Sequence, residues 1–227
     1  MSPFKRPLIY INIISFIHER RNNTKKKNEL DVVFILDKSG SMGGYENDTI
    51  GGYNSYLDKV KKKKSKVYVT TVLFNNDYEL LNEREDISKV NHLTEDDYRV
   101  GGTTALYDAI GKTIEIVDKY KSNKILFVIT TDGLENASTE YNKNTIKRLI
   151  ESHKNIEFIY LGANIDSYKE GSSIGIKRES IANYKQNKKG FKMMFDAIGS
   201  ATEELEEASC LSSNWKEKLD NYIDTNI

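Results

Sequence analysis

Residues 32–41 read Val32-Val33-Phe34-Ile35-Leu36-Asp37-Lys38-Ser39-Gly40-Ser41. Five consecutive apolar side chains, three of them β-branched, suit a strand covered on both faces, as in the middle of a parallel sheet. The run stops at a carboxylate. The next four residues supply two hydroxyls and a glycine. A buried strand therefore delivers a small polar loop at its carboxyl end. In open α/β sheets that end binds ligands, at the point where strand order reverses.

The same alternation continues outward. Residues 45–63 place Tyr45, Ile50, Tyr53, Tyr56, Leu57 and Val60 at helical spacing. They close on Lys61–Lys64, whose charges suit the negative end of a helix dipole. Val67–Phe74 predicts a second strand, and Asp77–Leu81 a neighbour joined through the turn Asn75-Asn76-Asp77. Ala105–Tyr120 predicts a helix, Ile125–Ile129 another fully apolar strand, Asn142–Ser152 a helix and Ile156–Leu161 a strand. Asp166–Ser173 predicts a short helix and Glu179–Tyr184 a last short strand, before helices over Phe191–Ala208 and Trp215–Ile223. Strands alternating with helices predict a doubly wound, mostly parallel central sheet with helices on both faces, a Rossmann-like α/β fold.

Composition bounds the function. The chain has 227 residues with 34 basic and 34 acidic side chains, so no basic excess points to nucleic acid. The zero hides an asymmetry: residues 1–30 carry a net +5 and the remainder −5. One cysteine, Cys210, excludes an intramolecular disulfide framework and a cysteine-based zinc cluster, and its place near a helix end predicts a half-buried apolar filler. The apolar stretch 8–17 is too short to span a bilayer. A signal peptide over residues 1–20 is the secretory alternative, but His18-Glu19-Arg20-Arg21 is not a small-residue cleavage site. The expectation is a cytoplasmic protein without a membrane span. It divides into a basic leader and linker over 1–28, a domain over 29–208 and a helical extension over 209–227.

Three polar loops fall just after or between the predicted strands. Asp37-Lys38-Ser39-Gly40-Ser41 sets a carboxylate and two hydroxyls at alternate positions, a spacing that can aim hard oxygens at one small cation. The same residues suit turn and capping chemistry, and this loop alone leaves both readings open. Gly101-Gly102-Thr103-Thr104 precedes the Ala105 helix; one threonine suits a cap and the other a ligand. Thr130-Thr131-Asp132-Gly133 follows an apolar strand, with Asp-Gly as an ordinary turn pair. Together the loops offer Asp37, Ser39, Ser41, Thr103 and Asp132, without histidine or cysteine. An all-oxygen set selects Mg²⁺, with Mn²⁺ or Ca²⁺ as alternatives, over zinc or copper. Two carboxylates leave such an ion under-neutralised, so it favours an added anionic ligand, such as an Asp or Glu of a partner protein.

The D-x-S-x-S, G-G-T and T-D-G segments, in this order and on these elements, resemble the von Willebrand factor type A (vWA) domain and its metal-ion-dependent adhesion site. The resemblance runs from about Glu29 to Ala208. Gly101-Gly102-Thr103-Thr104-Ala105-Leu106-Tyr107-Asp108-Ala109-Ile110-Gly111 and Thr130-Thr131-Asp132-Gly133-Leu134-Glu135-Asn136-Ala137 are similar to stand-alone intracellular bacterial and phage-type members. The resemblance implies direct metal contacts from Ser39 and Ser41, a direct or water-mediated contact from Thr103, and contacts through water from Asp37 and Asp132. Thr104 would then be the helix cap.

Other motifs carry less. Gly111-Lys112-Thr113 ends like a phosphate-binding loop, but Leu106 stands where that motif needs glycine. Ser41 sits faintly like a nucleophile elbow, but Ser39 replaces the required glycine. None of His18, His92 and His153 is tied to Ser41 by sequence. The reading is therefore a metal-dependent protein-binding module without a catalytic residue. The alternative is a metal-dependent hydrolase of phosphoryl or acyl groups at the same site.

Overall fold

The structure, a computed structural model, describes residues 29–63, 65–208 and 210–224. The leader 1–28 and its signal-peptide alternative lie outside the described residues. Six strands form one sheet: β1 (Glu29–Asp37), β2 (Lys66–Phe74), β3 (Tyr78–Asp86), β4 (Ile125–Thr131), β5 (Ile156–Gly162) and β6 (Ile181–Asn183). Six α-helices accompany them: α1 (Glu46–Lys61), α2 (Leu106–Val117), α3 (Lys143–Ser152), α4 (Ser167–Ser173), α5 (Lys188–Glu207) and α6 (Glu217–Asp224). The order is β3-β2-β1-β4-β5-β6, antiparallel between β2 and β3 and parallel elsewhere. From β1 the chain first builds outward to β2 and β3, then crosses to β4 on the other side. Strand order therefore reverses between β1 and β4.

The apolar run in β1 serves both faces. Val32, Phe34 and Leu36 enter the core beneath α1, α5 and α6, while Val33 and Ile35 enter the core beneath α2 and α3. The Phe34 ring meets Tyr53 and Tyr56 edge-on at centroid distances of 5.3 and 5.0 Å. Those two buried phenols are satisfied by Thr71 at 2.6 Å and Thr202 at 3.0 Å.

The structure departs from expectation in three local places. β3 runs five residues beyond the predicted end at Leu81, to Asp86. As an edge strand it is half exposed and carries Glu79, Glu83 and Glu85, so it shows no apolar run. The predicted strand over Glu179–Tyr184 begins with a 3₁₀ turn, Arg178–Ser180, and its extended part is only Ile181–Asn183. Cys210, expected half-buried, is exposed, because α5 has already ended at Glu207.

The C-terminal segment covers the β6 edge. Trp215 and Leu219 are buried in the α5-side core, Trp215 Nε1 donates to the Glu179 carbonyl at 3.2 Å, and Lys216 Nζ donates to the Ile181 carbonyl. Gly111, from the phosphate-loop-like tripeptide, is a buried α2 residue where a Cβ would stand 2.5 Å from the Tyr141 ring. It is a packing glycine. Among the described residues, no helix is long and apolar enough to cross a membrane.

Candidate metal centre

The β1–β4 reversal brings the three loops together. β1 ends at Asp37, which is almost fully buried. Its Oδ1 accepts the Ser39 backbone N–H at 2.7 Å and its Oδ2 accepts the Thr131 hydroxyl at 2.6 Å. Its carbonyl accepts the Tyr98 hydroxyl. Burial is the main reason its carboxyl is pushed up to about 6; the hydrogen bonds from Thr131 and Ser39 pull the other way.

Ser39 stands at the N-cap of the short 3₁₀ turn Gly40–Met42, and Ser41 lies within it. Their Oγ atoms lie 3.2 Å apart. Ser41 Oγ donates to Asp132 Oδ1 at 2.6 Å. Asp132 stands just past β4, and its second oxygen accepts from Gln186 Nε2 at 2.5 Å. Asp37, Ser39, Ser41 and Asp132 thus form one connected group at the rim.

The Gly-Gly segment is laced to the first loop. Gly101 N–H donates to the Lys38 carbonyl at 2.9 Å, and Gly40 N–H to the Gly102 carbonyl at 3.0 Å. Gly102 has φ +77°, and a Cβ there would fall 2.0 Å from Asn76 Oδ1. The left-handed backbone favours glycine, and any Cβ would also displace the Asn76 side chain. Asn75 completes the lacing, donating from Nδ2 to the Gly101 carbonyl at 2.7 Å and accepting Ala105 N–H on its own carbonyl at 2.8 Å.

Thr103 and Thr104 take different places. Thr103 is exposed on the rim. Thr104 is buried, and its Oγ1 lies 3.0 Å from where a Gly133 Cβ would stand, a point 3.5 Å from Ser41 Oγ. Thr104 is not the helix cap: the N-cap of α2 is Ala105, with no side-chain cap bond. The reason is Asn136, which grips the Thr104 backbone from both sides. Its Oδ1 accepts Thr104 N–H at 2.9 Å, and its own N–H donates to the Thr104 carbonyl at 3.0 Å.

Several residues of this rim carry no ligand role in the sequence reading. Glu135 accepts from Tyr107 N, Ala137 N, Ser138 N and Ser138 Oγ at 2.7–2.9 Å. Asp108 accepts the N–H groups of Thr139, Glu140 and Tyr141 at 2.7–3.0 Å. These two acids pin the Asp132 loop to the start of α2. Thr131 stood in a motif and its hydroxyl was visible there; Tyr98, Asn164 and Gln186 had no local signal. Lys38, the cation inside the first loop, is paired outward with Glu79 at 2.5 Å. His92 faces Asp58 and His153 faces Asp118, away from the rim.

The donor set suits a hard divalent cation. Among the described residues no cluster of three or more His, Cys, Asp or Glu could hold a metal, so a centre at this rim must draw on hydroxyls. Ser41 gives its proton to a carboxylate, which leaves oxygen lone pairs free to face a cation. Two larger cavities, of about 280 and 370 Å³, line α5 with α1 and with α6, and neither includes any of the five candidate residues. At the rim Ser41 and Thr103 are exposed, while Asp37, Ser39 and Asp132 are buried.

Known proteins share this architecture. The zinc-occupied MIDAS form of proximal thread matrix protein 1 from the mussel byssus matches with TM-score 0.57 at 15% identity, over 76% of this chain and 45% of that one. The ArnB paralog VWA2 from Sulfolobus acidocaldarius matches with TM-score 0.54 at 21% identity, over 77% and 45%. Manganese-loaded TRAP protein from Plasmodium vivax matches with TM-score 0.52 at 15% identity, over 74% of each chain. The chain spans less than half the length of the first two, and at these identities the likeness is one of fold. No curated protein matches the chain. The family described as VWA domain containing CoxE-like protein matches residues 10–166, more than half of the sequence. The chain belongs to this family of vWA-domain, CoxE-like proteins.

Proposed function

We propose that the chain is a divalent-metal-dependent protein-binding module that captures an acidic side chain of a partner. Asp37, Ser39, Ser41, Thr103 and Asp132 hold the ion, with Mg²⁺ the favoured occupant and Mn²⁺ or Ca²⁺ alternatives. The observation that carries the reading is the hydrogen-bonded group Ser39–Ser41–Asp132 beside buried Asp37. When bound, the ion supplies a positive centre that a partner's carboxylate can complete. Asp37 positions Ser39 by accepting its backbone N–H, and Asp132 accepts the hydrogen bond from the Ser41 hydroxyl, which leaves the oxygen's lone pairs for a cation. Thr103, exposed on the rim, would supply the fifth oxygen. The exposure of Ser41 and Thr103 lets a protruding side chain of another protein reach the ion.

The module runs over residues 29–208, with 1–28 ahead of it and the helical segment 209–227 behind. A single exposed thiol, Cys210, suits a reducing compartment such as the cytoplasm. The test uses immobilised hexapeptides carrying one Asp, each with an Asn twin, probed with the full chain in Mg²⁺ and in EDTA. The reading expects retention on Asp peptides only, and only with Mg²⁺. Equal retention in EDTA, or equal retention on the Asn twins, contradicts it.

A further inference from the structure

Gln186 follows β6 and directly precedes Asn187, the side-chain N-cap of α5. Its amide is used at every polar position. Nε2 donates to Asp132 Oδ2 at 2.5 Å and its other face meets Met42 Sδ at 4.0 Å. Oε1 accepts from Asn164 Nδ2. The opposite amide orientation would set oxygen against a carboxylate oxygen, so the arrangement has one sense. Asn164 is held at φ +55°, a left-handed position that asparagine tolerates. The donor facing Asp132 is therefore fixed from behind.

This leaves Asp132 little freedom. Oδ1 takes the Ser41 hydroxyl and Oδ2 takes the Gln186 amide. Turning Asp132 to present both oxygens to one ion costs the hydrogen bond from Gln186. That restriction discriminates between cations. Mg²⁺ accepts six ligands in an octahedron and keeps several waters, whereas Ca²⁺ takes six to eight oxygens and readily uses both oxygens of a carboxylate.

We propose that Gln186, oriented by Asn164, is a specificity-determining residue that restricts the centre to small octahedral cations by withholding Asp132 Oδ2. The proposal rests on the metal-site reading above. Gln186 touches Asp132 and acts through it, so it is a positioning residue.

The test titrates Mg²⁺ and Ca²⁺ calorimetrically into the full chain, the Gln186→Ala variant and the Asn164→Gly variant. Glycine accepts the left-handed φ of position 164 and removes the side chain that orients Gln186. Gln186→Ala should shift the ratio of Ca²⁺ to Mg²⁺ affinity toward Ca²⁺ by about tenfold, the equivalent of one hydrogen bond to a charged group. Asn164→Gly should shift it in the same direction by less. Melting temperatures in EDTA identify a variant that fails to fold, and the other variant then carries the test. A merely structural role would weaken both ions together and leave the ratio unchanged. A ratio within about twofold of the parent in both variants overturns the proposal. A parent chain that binds neither ion overturns the metal-site reading itself, and the proposal with it, so the two failures are distinguishable.

Discussion

Ser41 Oγ donates to Asp132 Oδ1 at 2.6 Å, joining the first loop to the third across 91 positions of sequence. The bond orients both groups at once: the serine keeps its lone pairs outward and the carboxylate keeps one oxygen turned inward. Two residues acting as one unit should not contribute additively. Ser41→Ala and Asp132→Ala should each weaken Mg²⁺ binding by at least about tenfold, and the double variant should be no weaker than the worse single. Calorimetry of the four proteins checks this; fully additive losses would mean that the pair does not work as a unit.

Asp37 carries a cost as well as a role. Its folded pKa, pushed up by burial to about 6, lies above the ordinary Asp value of 3.8. Its ionised form therefore destabilises the fold fully above about pH 6, and that destabilisation is lost below about pH 3.8. The shift corresponds to about 3 kcal/mol at neutral pH. Asp37→Asn can keep local bonding, because an amide can donate to Thr131 Oγ1, whose proton then turns to the Gly133 carbonyl 3.1 Å away. The variant should melt a few degrees higher than the parent in EDTA while losing Mg²⁺ binding. A lower melting point in EDTA would show that the carboxylate stabilises the fold.

The threonine pair separates by single substitutions. Thr103→Val should lower Mg²⁺ affinity about tenfold, and Thr104→Val less than about twofold, with melting in EDTA as the control. The reverse ranking would transfer the ligand role to the buried Thr104, whose hydroxyl faces the Gly133–Ser41 side.

Asp108 gives the loop a pH signature. Burial acts to raise its pKa, but the three backbone N–H donors and Lys112 together hold it below the ordinary value of 3.8. Its stabilisation is present above that value and lost as pH falls through the lower folded pKa. Asp108→Asn sets an NH₂ group against a backbone N–H and should cost about 2 kcal/mol at pH 7. Urea unfolding should show the deficit shrinking below about pH 4. A deficit independent of pH would assign the loss to packing.

Much of the fold was legible because its signals are local. Val32–Leu36 could only be a strand with both faces covered, and the structure gives it two cores to serve. Asp37, Ser39, Ser41 and Asp132 were legible because they lie at or within four positions of strand ends, and Thr103 because it stands just ahead of α2. The remainder depends on pairs far apart in sequence. Gln186 meets Asp132 from 54 positions away, and Tyr98 reaches the Asp37 carbonyl from 61; no spacing rule anticipates either. The Asn136 grip on Thr104 explains why the helix cap fell on Ala105 instead. β3 was read short because an edge strand need bury only one side of its alternation, and Cys210 was misplaced because a helix end is uncertain by the very turn that decides burial.

The most direct test is titration of Mg²⁺ into the full chain and into its Ser39→Ala variant, with melting in EDTA as a fold control. Ser39 is buried, and its hydroxyl contacts the Ser41 hydroxyl and hydrogen-bonds the Asp37 carboxyl, so the melt in EDTA separates loss of a ligand from loss of these bonds. One Mg²⁺ site in the parent, lost in a variant that melts normally, is the result the account predicts. Equal Mg²⁺ affinity in both proteins, or no binding by the parent, would contradict it.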